Sequence, residues 1–121
     1  MSSPDSAANP PDRRTAGPPS GLAIEVEFSQ GTATVVISGE LDLVTRPLLS
    51  ESLSLTLRRR PRRLVLDMAG TSFMDCGSAR LIAGTGRFLP DAGQLVIRHP
   101  SPPVRRLLEL LGLDAQYEIE E

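Results

Sequence analysis

Residues 75–78 of this chain, Asp75-Cys76-Gly77-Ser78, carry a carboxylate, a thiol and a hydroxyl in one short run. The run follows an apolar stretch, Arg63-Leu64-Val65-Leu66-Asp67-Met68, and precedes residues with helical spacing, so it reads as a strand-to-helix junction. With Asp75 as the N-cap, its carboxylate accepts the amide of Gly77 or Ser78, Cys76 takes the first helical position and Ser78 the third. The free amides and positive dipole end of such a turn favour an anion. A phosphate on a hydroxyl there would change the local charge by nearly two units. The plainer reading is that Asp75 and Ser78 cap a helix and do nothing more. Cys76 also has two readings. A helix N-terminus favours a reactive thiolate, but the adjacent Asp75 opposes it, so the expectation is a small thiol buried against the sheet.

Other chemistry finds little support. His99 is the lone histidine, which leaves no metal set and no serine–histidine–aspartate arrangement. The sequence Gly84-Thr85-Gly86-Arg87 lacks the lysine and spacing of a phosphate-binding loop. Asp42, Asp67 and Asp75 lie near strand ends, so two could meet, yet nothing else supports an acid–base pair. The expectation is a protein that is not an enzyme and has no metal or cofactor. Arg58, Arg59, Arg60, Arg62 and Arg63 form a basic run at the end of a helical segment, where they complement the dipole. No aromatic residues interleave it to stack bases, and it reads as a solvated face with no nucleic-acid partner.

The elements that must position these residues follow from periodicity. The chain has 121 residues, enough for one domain, and hydrophobic residues make up 40% of it, enough for a core. The net charge of −2 argues against a general nucleic-acid binder. A single cysteine forms no internal disulfide, and neither a signal peptide nor a membrane span is evident, so the expected compartment is the cytoplasm, without membrane contact. Residues 1–20, rich in Ser, Pro and Ala, read as a disordered tail, with a folded domain over 21–121.

Within that domain, Leu22, Ile24, Val26 and Phe28 alternate with polar residues in one strand, Ser29-Gln30-Gly31 turns, and residues 32–38 form a second strand, giving an antiparallel hairpin. Thr45 is a plausible N-cap for a helix to about residue 59, whose stripe is Leu49, Leu53 and Leu57. Residues 63–68 form a buried strand, 69–75 connect, and a second helix follows with Ala79, Ile82, Ala83 and Gly86 on one face. Residues 94–98 form another strand. Ser101 caps a third helix that buries Val104, Leu107, Leu108 and Leu111 and ends at Gly112, and residues 116–120 add an edge strand. The order ββαβαβα(β) implies an α/β fold: a mixed sheet with an N-terminal antiparallel hairpin and helices mainly on one face.

Four segments together resemble one family. Gly39-Glu40-Leu41-Asp42 before the first helix, Leu64–Met68, Ser72-Phe73-Met74-Asp75 opening the second helix, and the SPPVRRLLELLGLD run of residues 101–114 look like a STAS domain of the anti-sigma factor antagonist type. The resemblance spans about residues 22–120. It implies a single STAS domain that binds a kinase-type anti-sigma factor and so regulates sigma-factor-dependent transcription. It also implies phosphorylation of a Ser or Thr directly after the motif aspartate, reversed by a PP2C-type phosphatase. Asp42 and Asp75 match family positions, and Asp42, Asp75, Cys76, Gly77 and Ser78 are the partner-binding residues it implies. The chain departs from the family pattern at the acceptor itself, where Cys76 stands, and at the family's glycine position, where Ser78 stands. Three expectations stay open: an antagonist whose switch is lost or moved to Ser78, a non-phosphorylated adaptor or sensory module with another partner, and a thiol switch at Cys76.

Overall fold

The computed structural model describes residues 21–90, 94–114 and 117–121; the proposed tail, 1–20, lies outside them. The alternating segments form the expected hairpin. Strand β1 (Leu22–Ser29) pairs antiparallel with β2 (Thr32–Leu41) from Leu22 opposite Gly39 to Ser29 opposite Thr32. Gln30 and Gly31 turn the chain with φ of 51° and 83°, the two successive positive values of a type I′ turn, whose twist matches that of the strands.

Then come α1 (Arg46–Arg58), β3 (Arg63–Met74), α2 (Cys76–Thr85), a 3-10 turn (Gly86–Phe88), β4 (Gln94–Arg98), α3 (Pro102–Leu110) and β5 (Glu118–Glu120). The sheet order is β1-β2-β3-β4-β5, with every pair after the hairpin parallel.

Alternate positions of the three central strands face the helices: Ala33, Val35 and Ile37 from β2, Leu64, Leu66 and Met68 from β3, Leu95 and Ile97 from β4. Leu49 and Leu53 of α1, Ala79 and Ile82 of α2, and Val104 and Leu108 of α3 complete the same buried cluster. All three helices therefore cover one face of the sheet. The other face is polar. There Glu120 of β5 pairs with Arg63 and with Arg98, each at 2.8 Å. Gln94 bonds Glu118 beside them, and these side chains shield the paired Val65 and Val96, both buried.

Four expectations needed correction. The segment expected to connect strand and helix, 69–75, is mostly strand: β3 runs twelve residues, to Met74. From Met68 onward its only strand partner is β2, because β4 stops at Arg98, opposite Asp67. Two register shifts between the strands, each with one extra residue on β3, accompany that pairing. At the second, Gly39 has φ 115°, and a Cβ there would lie 2.2 Å from the Gly21 carbonyl oxygen. The buried face of α2 is Ser78, Ala79, Ile82 and Thr85, while Ala83 and Gly86 are only half-buried, because the helix tightens into the 3-10 turn after Thr85. Ser101 holds the N-cap position of α3 but makes no capping bond. Pro103 offers no amide at the second helical position, and the Ser101 hydroxyl donates instead to the Thr71 carbonyl in β3. The basic run is not one solvated face: Arg59 lies over the Phe28 ring at 3.9 Å, and Arg63 joins the ion pairs of the polar sheet face. Gly112 closes α3 as expected, with the bonds from Gly112 N–H to Glu109 and Leu113 N–H to Leu108 that define a Schellman end.

Candidate functional site

Strands β2 and β3 are parallel neighbours, so the loops leaving their C-terminal ends lie side by side. The first loop is built on Asp42. Its Oδ1 accepts the amides of Val44 and Thr45, each at 3.0 Å. The Thr45 hydroxyl accepts the Asp42 amide at 3.0 Å and donates to the Glu40 carbonyl at 2.8 Å. Thr45 thus occupies the expected N-cap place of α1 without capping it. Its backbone is already helical, so the hydroxyl turns back toward the strand, and Asp42 satisfies the amides of Val44 and Thr45 just ahead of the helix. Asp42→Ala is expected to cost about 1–2 kcal/mol through these lost bonds. Urea unfolding checks it, and an unchanged midpoint would show that the loop does not need the carboxylate.

The second loop is the single residue Asp75, tied to the first by its amide, which donates to the Leu41 carbonyl at 2.9 Å. Asp75 caps α2 as expected: its Oδ1 accepts the Ser78 amide at 2.8 Å. Its Oδ2 pairs with Arg46 Nη2 at 2.8 Å. One carboxylate therefore joins the N-terminal ends of two helices. Gly77 makes this pair sterically feasible, since a Cβ on it would lie 2.3 Å from Arg46 Nη2. The guanidinium rests against the bare backbone at Gly77. Nothing in the sequence marks Arg46 for this role, because the pairing spans 29 positions between separate loops. The only available signal was that both loops follow adjacent parallel strands.

Partial burial pushes the Asp75 carboxyl up, but the Ser78 amide and the Arg46 guanidinium outweigh it, and the group titrates below the ordinary aspartate range. The Ser78 hydroxyl lies close enough to add to that lowering field, although it makes no hydrogen bond of ordinary geometry. A depressed native pKa contributes stability that is present above the unfolded value of about 4 and is lost as pH falls through the native one. Stability should therefore fall with acid below about pH 4, and Asp75→Asn should flatten that slope while lowering stability near neutrality. Unfolding midpoints measured across this range test the sign; a slope unchanged in Asp75→Asn would remove Asp75 as its source.

The remaining residues divide by exposure. Cys76 is exposed, against the expectation of a buried thiol. At the first position of α2 it points away from the face carrying Ser78, Ala79, Ile82 and Thr85. Ser78 is 0% exposed, and its hydroxyl has no partner among the described residues. The structure thus brings Asp75, Cys76, Gly77 and Ser78 together at one helix start, with Asp42 in the adjoining loop, and turns the Ser78 hydroxyl inward. Three large apolar side chains surround the two aspartates in sequence and are open to solvent: Leu43 at 72%, Val44 at 83% and Phe73 at 48%. Among the described residues no group of three or more His, Cys, Asp or Glu is placed to hold a metal, and no helix is long and apolar enough to cross a membrane. With all helices on one face, the sheet also lacks the topological switch point where open α/β sheets form a ligand crevice. The arrangement presents a surface rather than a cleft.

A family model described as the STAS domain matches residues 23–121. The chain belongs to the STAS domain family. Its relatives include the anti-sigma-F factor antagonist RsfB of Mycobacterium tuberculosis, 25% identical over 101 residues that cover 84% of this STAS domain chain and 83% of the relative. An anti-sigma F factor antagonist of Paenibacillus polymyxa is 32% identical over 94 residues, covering 76% of this chain and 80% of that one. Among solved structures, an anti-sigma factor antagonist from Mycobacterium paratuberculosis superposes with a TM-score of 0.79 at 27% identity, over 85% of this chain and 88% of that chain. The order of elements expected for a STAS domain, hairpin first and helices on one face, is the one observed.

Proposed function

We propose that this STAS domain is an anti-sigma factor antagonist that acts in the cytoplasm by binding an anti-sigma factor, without catalysis of its own. The observation that carries the reading is the exposed apolar set Leu43, Val44 and Phe73 beside the Asp42 loop and the Asp75 turn. Apolar side chains that open to water around fixed charges mark a protein-interaction surface. The names of the relatives indicate the class of partner. Asp42, Asp75, Cys76, Gly77 and Ser78 form or support this face, with the Asp75–Arg46 pair holding its two loops in register. A kinase-type anti-sigma factor is the partner this reading names, with a PP2C-type phosphatase as its counterpart where phosphorylation occurs.

A second reading is favoured by the buried hydroxyl of Ser78 and the thiol at the family's acceptor position. In it the domain is a non-phosphorylated adaptor, and occupancy of the same face is set by partner concentration alone.

Affinity purification from native lysate, identification by mass spectrometry and calorimetry with the recovered protein test the first reading. The expected result is an anti-sigma factor whose affinity falls about tenfold or more in Val44→Asp, as for a central apolar contact. Recovery of other partners only, or an anti-sigma factor indifferent to Val44→Asp and Phe73→Asp, would sink it.

A further inference from the structure

A second surface lies away from the Asp75 turn, between the flanks of α1 and α2. It is an open groove of about 510 Å³. Its apolar floor is Leu53, Leu57 and Leu81, and Phe88, 68% exposed, stands at its rim. Arg58, Arg80 and Arg87 also line it, and among the described residues its lining holds no Asp or Glu. None of the three arginines makes an ion pair among the described residues; the cationic partners of the observed pairs are Arg46, Arg63, Arg98 and Arg105. A chain of net charge −2 has therefore gathered three cations, without an ion-pair partner among the described residues, around one apolar depression. The arginine at the 3-10 turn is laid along the groove by Gly84: a Cβ on that glycine would lie 3.2 Å from Arg87 Nη2, so the guanidinium rests on the bare helix surface.

From these features we infer that the groove docks an acidic amphipathic helix of a protein partner. Three observations favour that occupant. The groove is open along its length, whereas small ligands are held in sites that enclose most of their surface. Its cations are spread rather than focused: Arg80 and Arg87 are separated by roughly 11 Å along α2 and the 3-10 turn, from the rise of each helix type. A partner helix spans about the same distance between carboxylates seven residues apart. Its apolar floor fits the i, i+3, i+4 anchors of such a helix, the recurrent helix-in-groove mode of recognition. The inference goes beyond the anti-sigma reading and does not require it, since no part of the Asp75 turn lines the groove.

The test uses the full chain and three probes: an amphipathic helical peptide with a leucine face flanked by glutamates, the same peptide with lysines for glutamates, and vesicles of phosphatidylglycerol. Calorimetry gives affinities, and amide chemical shifts of the labelled chain locate binding. The expected result is that the acidic peptide binds about tenfold or more tightly than the basic one, and that its shifts centre on Leu57, Leu81, Gly84 and Phe88. The exposed double variant Arg80→Glu/Arg87→Glu should lose about tenfold or more, with unchanged spectra elsewhere showing that it still folds. Asp75→Asn should bind the peptide as the parent does, which separates this site from the partner face. Equal binding of both peptides, shifts at Leu43 and Val44 instead, or arginine-dependent binding to vesicles without peptide binding would each overturn the inference, the last in favour of a membrane surface.

Discussion

Gly39→Ala is expected to be the most damaging single methyl addition in this domain, costing at least ~3 kcal/mol and leaving the denaturant slope unchanged. Gly39 sits at the second register shift between β2 and β3 with φ 115°, a value that side-chain-bearing residues rarely adopt. The added Cβ would lie 2.2 Å from the Gly21 carbonyl oxygen and 3.1 Å from the Leu22 Cα. Both are backbone atoms of the neighbouring strand, so no rotamer change relieves the overlap. Relief requires lifting the start of β1, which would break the 2.8 Å bond from the Glu40 amide to the Gly21 carbonyl and uncover Leu22. A control isolates the overlap from the dihedral cost. Gly112 also has positive φ, 69°, yet a Cβ there would meet nothing within 4 Å. Urea unfolding of both variants should place Gly39→Ala well below Gly112→Ala. Equal losses would mean that β1 yields freely, and that the start of the Asp42 loop is not braced as described.

The second large effect concerns where a negative charge can stand on α2. Ser78→Glu is expected to cost on the order of 3–5 kcal/mol, because it puts a carboxylate at a fully buried position next to the Asp75 carboxylate. Cys76→Glu should change stability by no more than about 0.5 kcal/mol, since that side chain is exposed at a helix start, where negative charge is welcome. Ser78→Ala should cost no more than about 1 kcal/mol, because it loses only the hydroxyl's favourable field at the Asp75 carboxylate and leaves no buried polar group unpaired. Thermal unfolding of the three variants reads the contrast directly. If Ser78→Glu is as stable as Cys76→Glu, the first turn of α2 opens at little cost, and Ser78 becomes a reachable acceptor. If the contrast holds, phosphorylation of Ser78 would require that turn to unfold first.

Much of the frame was legible because its signals are local. The alternation of Leu22, Ile24, Val26 and Phe28 fixed the face of β1, and Gln30-Gly31 fixed the hairpin turn. The leucine stripe of α1 and the Val104–Leu108 face of α3 follow from helical spacing, and the Asp75 cap follows from its place before the helix. What escaped depends on contacts between distant segments. The run Ala69-Gly70-Thr71-Ser72 has no apolar alternation, and it stays in the sheet by pairing with β2 across two register shifts that each leave an extra residue on β3. Arg46 has no local reason to seek Asp75; it reaches it across Gly77, whose missing side chain leaves room for the guanidinium. The exposure of Cys76 and the burial of Ser78 were within reach of periodicity. Ser78 lies four residues before Ile82 and seven before Thr85, on the buried side, while Cys76 does not share that spacing.

The sheet order repeats the chain order from β1 to β5. Each strand after the first therefore finds its docking edge already made by the strand before it, and from β3 onward a helix comes in between to cover the growing core. A chain emerging from the ribosome could add one unit at a time without waiting for a distant segment to return. The three-residue β5 comes last, and its Glu120 closes the structure by bridging Arg98 on the strand beside it to Arg63 one strand further in.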